Sequence, residues 1–345
     1  MIDTRFYNEL TPISVDAIVK LTGGKKHRGS GSLMVRYIAP AHKVASGGLC
    51  FVTSKSAAEQ VKNEKGVICL IPADLTDVLG SDISIIVSSH PKRDLSIVIN
   101  AMVVRDDGES GIHPSAVIED DADIGEGCVI DAHAYIGHGV VLGAGCHIGT
   151  GVYIGRGCVL GDGCIIEPNV KISHAIIGKE ALFGSGVVIG STGFGVGNNG
   201  DGNVVIPHLG RVIVGDHCNF GPNTTVDRGF IDDTVIGNHV MLDNLVMIAH
   251  NVVMGDGNIL CSQVGISGST TMGDNNIFGG QAGAADHLTI GSNNVFTARA
   301  GLSKSVGDNQ ILSGFPAVPA RDFRREVATL RRLAHSKKSP STKDT

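Results

Sequence analysis

The sequence predicts a mainly β fold: a left-handed parallel β-helix built from hexapeptide repeats, with an α/β domain before it and one helix after it. Three observations carry this. An aliphatic residue followed by Gly returns every six positions, as in "VVLGAGCHIGTGVYIGRGCVLGDG" at 140–163. The 48 glycines, with only 11 prolines in 345 residues, point to many tight turns rather than to disorder. Aromatic residues are 4% and Trp is absent, so a core must be filled with Ile, Val, Leu and Ala.

From Ile112 to Ile172, eleven consecutive sixth positions are Ile or Leu. A period of six fits neither a helix nor a single strand. It fits a β-helix in which three hexads close one coil of 18 residues, the first residue of each hexad pointing inward. Cys128, Cys146 and Cys164 are 18 apart. They are expected to stack in one inward column, about 4.8 Å per coil, as small buried side chains rather than a metal ladder. The phase slips by one near Ile177. Residues 191–212, "STGFGVGNNGDGNVVIPHLGRV", then interrupt it with Gly and Asn, an insertion long enough to be functional or disordered. The period resumes at Val214 and Phe220, gains four residues in "VDRGFIDDTV", and is strict from Ile236 to Leu302. The β-helix is therefore expected over 106–310, about ten coils and about 50 Å long.

Residues 1–105 lack the hexad. "ISVDAIVKLTG" reads as an amphipathic helix ending at Gly, "GLCFVTS", "GVICLIP" and "ISIIVSS" as strands, and "DLSIVINAMV" as helix or strand. Together they make a small α/β domain. In 311–345, Phe323, Val327, Leu330 and Ala334 recur at helical spacing, and "SKKSPSTKDT" reads as a disordered tail. Residues 321–345 carry a net charge of +5 against −11 for the rest of the chain. Such a basic helix suits either packing against other copies or docking an acidic partner.

The overall charge of −6 argues against a nucleic-acid partner. No run of eighteen apolar residues suggests a transmembrane helix, and "MIDTRFYNEL" does not read as a signal peptide. A cytoplasmic location, with the eight cysteines reduced, is expected.

A packed solenoid interior leaves catalysis to outer faces and grooves. His133 and His138, with His113 nearby, could offer imidazoles to one zinc, as in carbonic anhydrases built on this fold. His250, in "DNLVMIAHNVVMG", occupies an outward position of the most regular run. Asp243 and Asn244 precede it by seven and six residues. A neutral His can remove a proton near pH 7, and a carboxylate can orient it. Gly268 follows His250 by 18, so it falls one coil on, on the same face, where an amide unshielded by a Cβ could hold an oxyanion.

The stretches "TTVDRG", "LDNLVMIAHNVVMGD", "IPHLGRVIVGD" and the GFGV loop resemble the UDP-3-O-acylglucosamine N-acyltransferases of lipid A synthesis, over nearly the whole chain. The resemblance implies transfer of a 3-hydroxyacyl group from acyl carrier protein to the 2-amine of UDP-3-O-(3-hydroxyacyl)glucosamine. It implies His250 as general base, supported by Asp243 with Asn244 beside it. Gly268 would be the oxyanion donor and His287 a substrate contact. It implies an N-terminal domain that holds uracil on Phe51, although Ser54 and Ala57 stand where Asn and Tyr are usual. No metal and no resident cofactor are expected, since 4'-phosphopantetheine arrives on the carrier protein. A homotrimer with sites between subunits, and transient membrane-surface contact, complete the expectations. The alternatives are a UDP-N-acetylglucosamine O-acyltransferase, which lacks a 100-residue domain before the solenoid, a zinc enzyme, and a non-catalytic scaffold.

Overall fold

In the computed structural model, which describes residues 10–103 and 111–336, each hexad becomes a two-residue strand and a corner. The reading of the tail beyond Ser336 as disordered falls outside those residues. The chain divides into two units, Met1–Gly108 and Glu109–Thr345.

In the first unit, strands Tyr37–Ile38, Gly48–Phe51, Ile68–Ile71 and Ser84–Val87 run parallel, and Lys25–Arg28 joins the last of them antiparallel. Helix α1, Val15–Thr22, is capped by the Ser14 hydroxyl and ends at Gly23 in a left-handed conformation (φ 70°). Helix α2 is Lys55–Val61 and α3 is Pro91–Met102. The ambiguous "DLSIVINAMV" is thus helical: Leu95, Val98 and Met102 bury one stripe, and Pro91 starts the first turn.

In the second unit the strands stack by coils. Ile130 pairs with Ile148 and Ile148 with Ile166, all parallel and 18 apart. The result is three sheets of ten, ten and nine strands, a parallel β-helix. The slip by one is real, since Leu160 pairs with Ile177. The four extra residues are absorbed between Val214 and Ile236, which also pair. The insertion is not structureless: Val196–Asn198 and Asn203–Val205 form an antiparallel hairpin. The β-helix also extends past 310, because Ile311–Leu312 pairs with Val295–Phe296. This last coil is two residues short, which breaks the period that the sequence reading follows.

The interior is mostly aliphatic, with Phe183 stacked on Phe220 at 4.6 Å and Phe278 against Phe296 at 4.3 Å. The cysteine column is buried as expected. The Cys128, Cys146 and Cys164 thiols donate to carbonyls of the next coil, those of Gly143, Gly161 and Gly178. Cys218 continues the column, and burial pushes its thiol up to about 11. Further along, the same column changes chemistry. Asn258, Asn276 and Asn294 are fully buried; each side-chain oxygen accepts the backbone N–H one coil on, from Asn276, Asn294 and Gln310. Helix α4, Ala320–Ser336, follows the last coil with Phe323 and Leu330 exposed.

Candidate active site

His250 lies at the corner after strand Met247–Ile248, half-buried. Its neighbour Asn251 adopts φ 59°, a left-handed conformation that Asn tolerates and that closes the corner. The Asn251 N–H donates to Thr234 Oγ1 at 2.9 Å, and its Oδ1 accepts from Phe230 N–H at 2.9 Å. That second bond orients Oδ1 as an acceptor. Facing it at 3.0 Å, His250 Nδ1 must carry the proton, which leaves a lone pair on Nε2. The tautomer of the imidazole is thus set by Asn251 within the chain.

Gly268 stands one coil on, directly over this ring. A Cβ there would fall 2.8 Å from both Cε1 and Nε2 of His250, so any larger residue would have to displace the ring. The Gly268 carbonyl accepts from His287 N–H and the His250 carbonyl from Ser269 N–H, while the Gly268 N–H meets no acceptor among the described residues. The structure thus brings together His250, Gly268 and the backbone of His287, whose exposed side chain turns outward at φ 55°. Beyond them the outer face of this sheet is bare: Gly265, Gly283 and Gly301 pair in register. Crowding does not require glycine there, since a Cβ would meet Met247 Cε at 3.7 Å, Gly265 O at 3.4 Å and, at Gly301, nothing within 4 Å.

Asp243 does not support His250 within the chain. Seven residues earlier is the previous corner, before strand Met247–Ile248, and there the carboxylate takes the Ser262 hydroxyl and N–H and the Asn244 N–H. The Ser262 hydroxyl, then the Asn244 amide, hold its pKa below the ordinary carboxylate value. Asn244 is exposed at that same corner.

The groups that do surround His250 come from the two insertions, which carry no period to betray them. His208 packs edge-to-face on His250, ring centres 5.1 Å apart, and on Phe230 at 5.5 Å. Gly193 is pressed against the His208 ring and the His250 stem, where a Cβ would lie 2.8 Å from His208 Nε2 and from His250 Cβ. Asp227 accepts from Ser191 Oγ at 2.6 Å; burial raises its pKa, against the opposing pull of that bond and of His250 and His208. Arg228 ties the insertion down, donating to the carbonyls of His208 and Gly190 and to Thr192 Oγ1. The signal lay in "IPHLGRV" and "TTVDRG", which contain His208 and Asp227.

In the first unit, Phe51 ends its strand half-buried, packed against the core cluster that includes Leu49, Ile68 and the α3 stripe. Ser54 Oγ accepts from Ala57 N–H as the α2 cap. Close by in sequence, Thr53 joins Ser89, His90, Pro91, Lys92 and Arg93 around a cavity of about 500 Å³. The cavity lies where parallel strands end and α3 begins, a common ligand position in α/β sheets. His133 and His138 are not brought together with a third ligand among the described residues. His138 is taken by Asp121 at 3.0 Å and Glu119 at 3.3 Å, and no metal-holding group of three His, Cys, Asp or Glu occurs among the described residues. No described helix is long and apolar enough to cross a membrane.

Residues 233–268 match the bacterial transferase hexapeptide family (six repeats), and 100–231 match the GMPPB C-terminal domain family. The UDP-3-O-acylglucosamine N-acyltransferase 2 of Legionella pneumophila (strain Philadelphia 1) is 42% identical over 99% of this chain and 100% of its own. The UDP-3-O-acylglucosamine N-acyltransferase of Granulibacter bethesdensis is 46% identical over 96% of this chain and 97% of its own. Among solved structures, the UDP-N-acetylglucosamine O-acyltransferase (LpxA) of Moraxella catarrhalis is 24% identical, with a TM-score of 0.45, over 66% of this chain and 86% of that one. At 42–46% identity across nearly the full length of both relatives, the chain belongs to the UDP-3-O-acylglucosamine N-acyltransferase family, and it is an acyltransferase.

Proposed function

We propose that the protein transfers a 3-hydroxyacyl chain from acyl carrier protein to the 2-amine of UDP-3-O-(3-hydroxyacyl)glucosamine, a step of lipid A synthesis. The observation that carries the mechanism is the pairing of His250 with Gly268: a base whose Nε2 lone pair is free, beside an amide N–H with no acceptor. The neutral amine attacks the thioester carbonyl carbon, forming the N–C bond as the carbonyl π electrons move to oxygen. The Gly268 N–H stabilises that oxyanion. His250 Nε2 takes the proton from nitrogen. Collapse of the intermediate breaks the C–S bond, and the imidazolium returns the proton to the leaving thiolate of the 4'-phosphopantetheine arm. The thioester is already activated, so the step needs no protein nucleophile and no metal.

The supporting features follow from the same geometry. The bare strip past Gly265, Gly283 and Gly301 suits an acyl chain. The basic cavity at Thr53 and His90–Arg93 suits the nucleotide of the UDP-sugar acceptor, with Phe51 near it in sequence. Asp243 and Asn244 stand at one corner of the sheet and His250 at the next, so a homotrimer that sets one copy's corner against another's would reunite them. Exposed Phe194, Leu209 and Ile231 on the insertions call for cover by such copies. Helix α4 would receive the acidic carrier protein or bundle the trimer. The enzyme would act in the cytoplasm. The test is the product. Purified protein given 3-hydroxyacyl carrier protein and UDP-3-O-(3-hydroxyacyl)glucosamine should yield the diacylated sugar by mass spectrometry. Acylation of UDP-N-acetylglucosamine instead would overturn the acceptor.

A further inference from the structure

The corner that leads into the glycine-floored sheet changes character at the level of the site. Its residues are left-handed coil after coil, and the earlier ones are Gly151, Asn169, Gly186 and Asn223, types that take this conformation at least cost. The next four are Leu245, Gln263, Gln281 and Arg299, at φ 59–63°. Backbone conformation favours Gly or Asn at all of them, so the long polar side chains answer a need other than folding. They form a ladder. Gln281 Nε2 donates to Gln263 Oε1 at 2.7 Å, and Arg299 Nε donates to Gln281 Oε1 at 2.8 Å. The ladder bends the exposed Arg299 side chain back by a coil, toward the level of Gln281. No carboxylate pairs with its guanidinium among the described residues, and its terminal nitrogens are left for a ligand. Beside the ladder, Gly283 and Gly301 keep the floor open although a side chain would fit there.

We infer that Arg299, held by Gln281 and Gln263, binds the phosphate of the 4'-phosphopantetheine arm, and that this edge of the sheet is the track of the arm. The inference rests on the reading of His250 and Gly268 as the place of acyl transfer. Two branches leave the thioester there. The aliphatic branch has no group that uses a row of amides. The arm carries two amides and a hydroxyl along its length and a phosphate at its far end. Side-chain amides followed by a guanidinium match it in that order. The lengths agree as well. Gln263 and Gly268 are five residues apart on either side of one strand, about 16 Å, and the coil to Gln281 makes the diagonal about 17 Å. The arm has about 13 bonds from sulfur to phosphorus, or about 15 Å at ~3.5 Å for every three bonds of extended chain. A hydrogen bond from guanidinium to phosphate oxygen covers the remainder. The diphosphate of the UDP-sugar is too close to serve instead. Its far phosphorus is about six bonds, or ~7 Å, from the reacting nitrogen.

The test compares acyl donors that carry the same 3-hydroxyacyl group on the carrier protein, on free 4'-phosphopantetheine and on pantetheine, with the UDP-sugar saturating. The intact enzyme should use the phosphorylated small donor with a kcat/KM about tenfold above that of the unphosphorylated one. Arg299→Gln should bring this ratio to within about twofold of unity, through the KM of the phosphorylated donor, with the KM for the UDP-sugar within about twofold of parental. Gln281→Leu keeps the guanidinium but removes the acceptor that holds it, and should lower the ratio about threefold. Each ratio is taken within one variant, so it does not depend on how much of that variant folds. A parent enzyme that does not distinguish the two small donors overturns the proposal, and so does an Arg299→Gln enzyme with the parental ratio. A UDP-sugar KM that rises as much as the donor KM overturns it too, because the guanidinium would then serve the acceptor. An unmoved ratio in Gln281→Leu overturns the part given to the ladder. If the parent enzyme uses none of the three donors, the acyl-transfer reading falls and this assignment with it. If the parent is active and the ratio stays fixed, only the assignment of Arg299 falls.

Discussion

Replacing Gly268 with Ala tests the site with one added methyl group. The Gly268 backbone is not in the left-handed region, so alanine imposes no backbone strain. Its Cβ would lie 2.8 Å from Cε1 and Nε2 of His250, against about 3.5–4.0 Å for a comfortable contact. The imidazole must retreat by close to 1 Å. It cannot do so freely, since Asn251 holds Nδ1 at 3.0 Å and the His208 ring, itself packed on Phe230, lies against it. A displacement of that size costs about 100-fold in rate, while overpacking costs about 1–3 kcal/mol of stability. The assay is thiol release from 3-hydroxyacyl carrier protein at saturating UDP-sugar, with thermal unfolding alongside. Gly265→Ala and Gly283→Ala are controls, because their Cβ atoms meet only ordinary contacts at 3.7 and 3.4 Å. Those two should fold as the parent does. A Gly268→Ala enzyme with parental kcat would refute the reasoning, since it would mean the ring over Gly268 is not held where the reaction occurs.

Other outcomes follow from separate parts of the structure. Asn276→Ala removes two donated bonds and strands the Asn294 N–H, so it should lower stability by about 2–4 kcal/mol in denaturant unfolding with activity per folded molecule unchanged. Seven of the eight cysteines are buried and Cys261 is only partly so. A native thiol titration should therefore find about one reactive group, and rapid reaction of several would contradict the packed column. Charge reversal at Arg324 and Arg331 on the exposed face of α4 should raise the KM for the carrier protein more than that for the sugar. An unchanged donor KM in a trimeric double variant would leave α4 a structural role.

The solenoid was legible because one inward aliphatic per hexad is all that each strand needs to bury, and Cys128, Cys146 and Cys164 repeat with the coil. Where the inward column turns polar, at Asn258, Asn276 and Asn294, hydropathy gives no hint that amides bridge the coils. The last coil at Ile311–Leu312 escaped notice because it is two residues short. In the site, the interval of 18 from His250 to Gly268 translated directly into stacking. Asp243 stands apart from His250 within one chain, because seven residues back along a coil is a different corner. His208 and Asp227 were hidden by the insertions, since only the folded hairpin and the four-residue bulge carry them to His250.

The central claim is that His250 acts as the base, and its most direct measurement is the single-turnover rate of His250→Ala with 3-hydroxyacyl carrier protein and UDP-3-O-(3-hydroxyacyl)glucosamine. The side chain is half-buried at an outer corner and contributes little to the core, so the variant should keep its circular dichroism and oligomeric state. Its rate of acyl transfer should fall by more than about 100-fold. A folded His250→Ala enzyme that transfers the acyl chain at close to the parental rate would contradict the account.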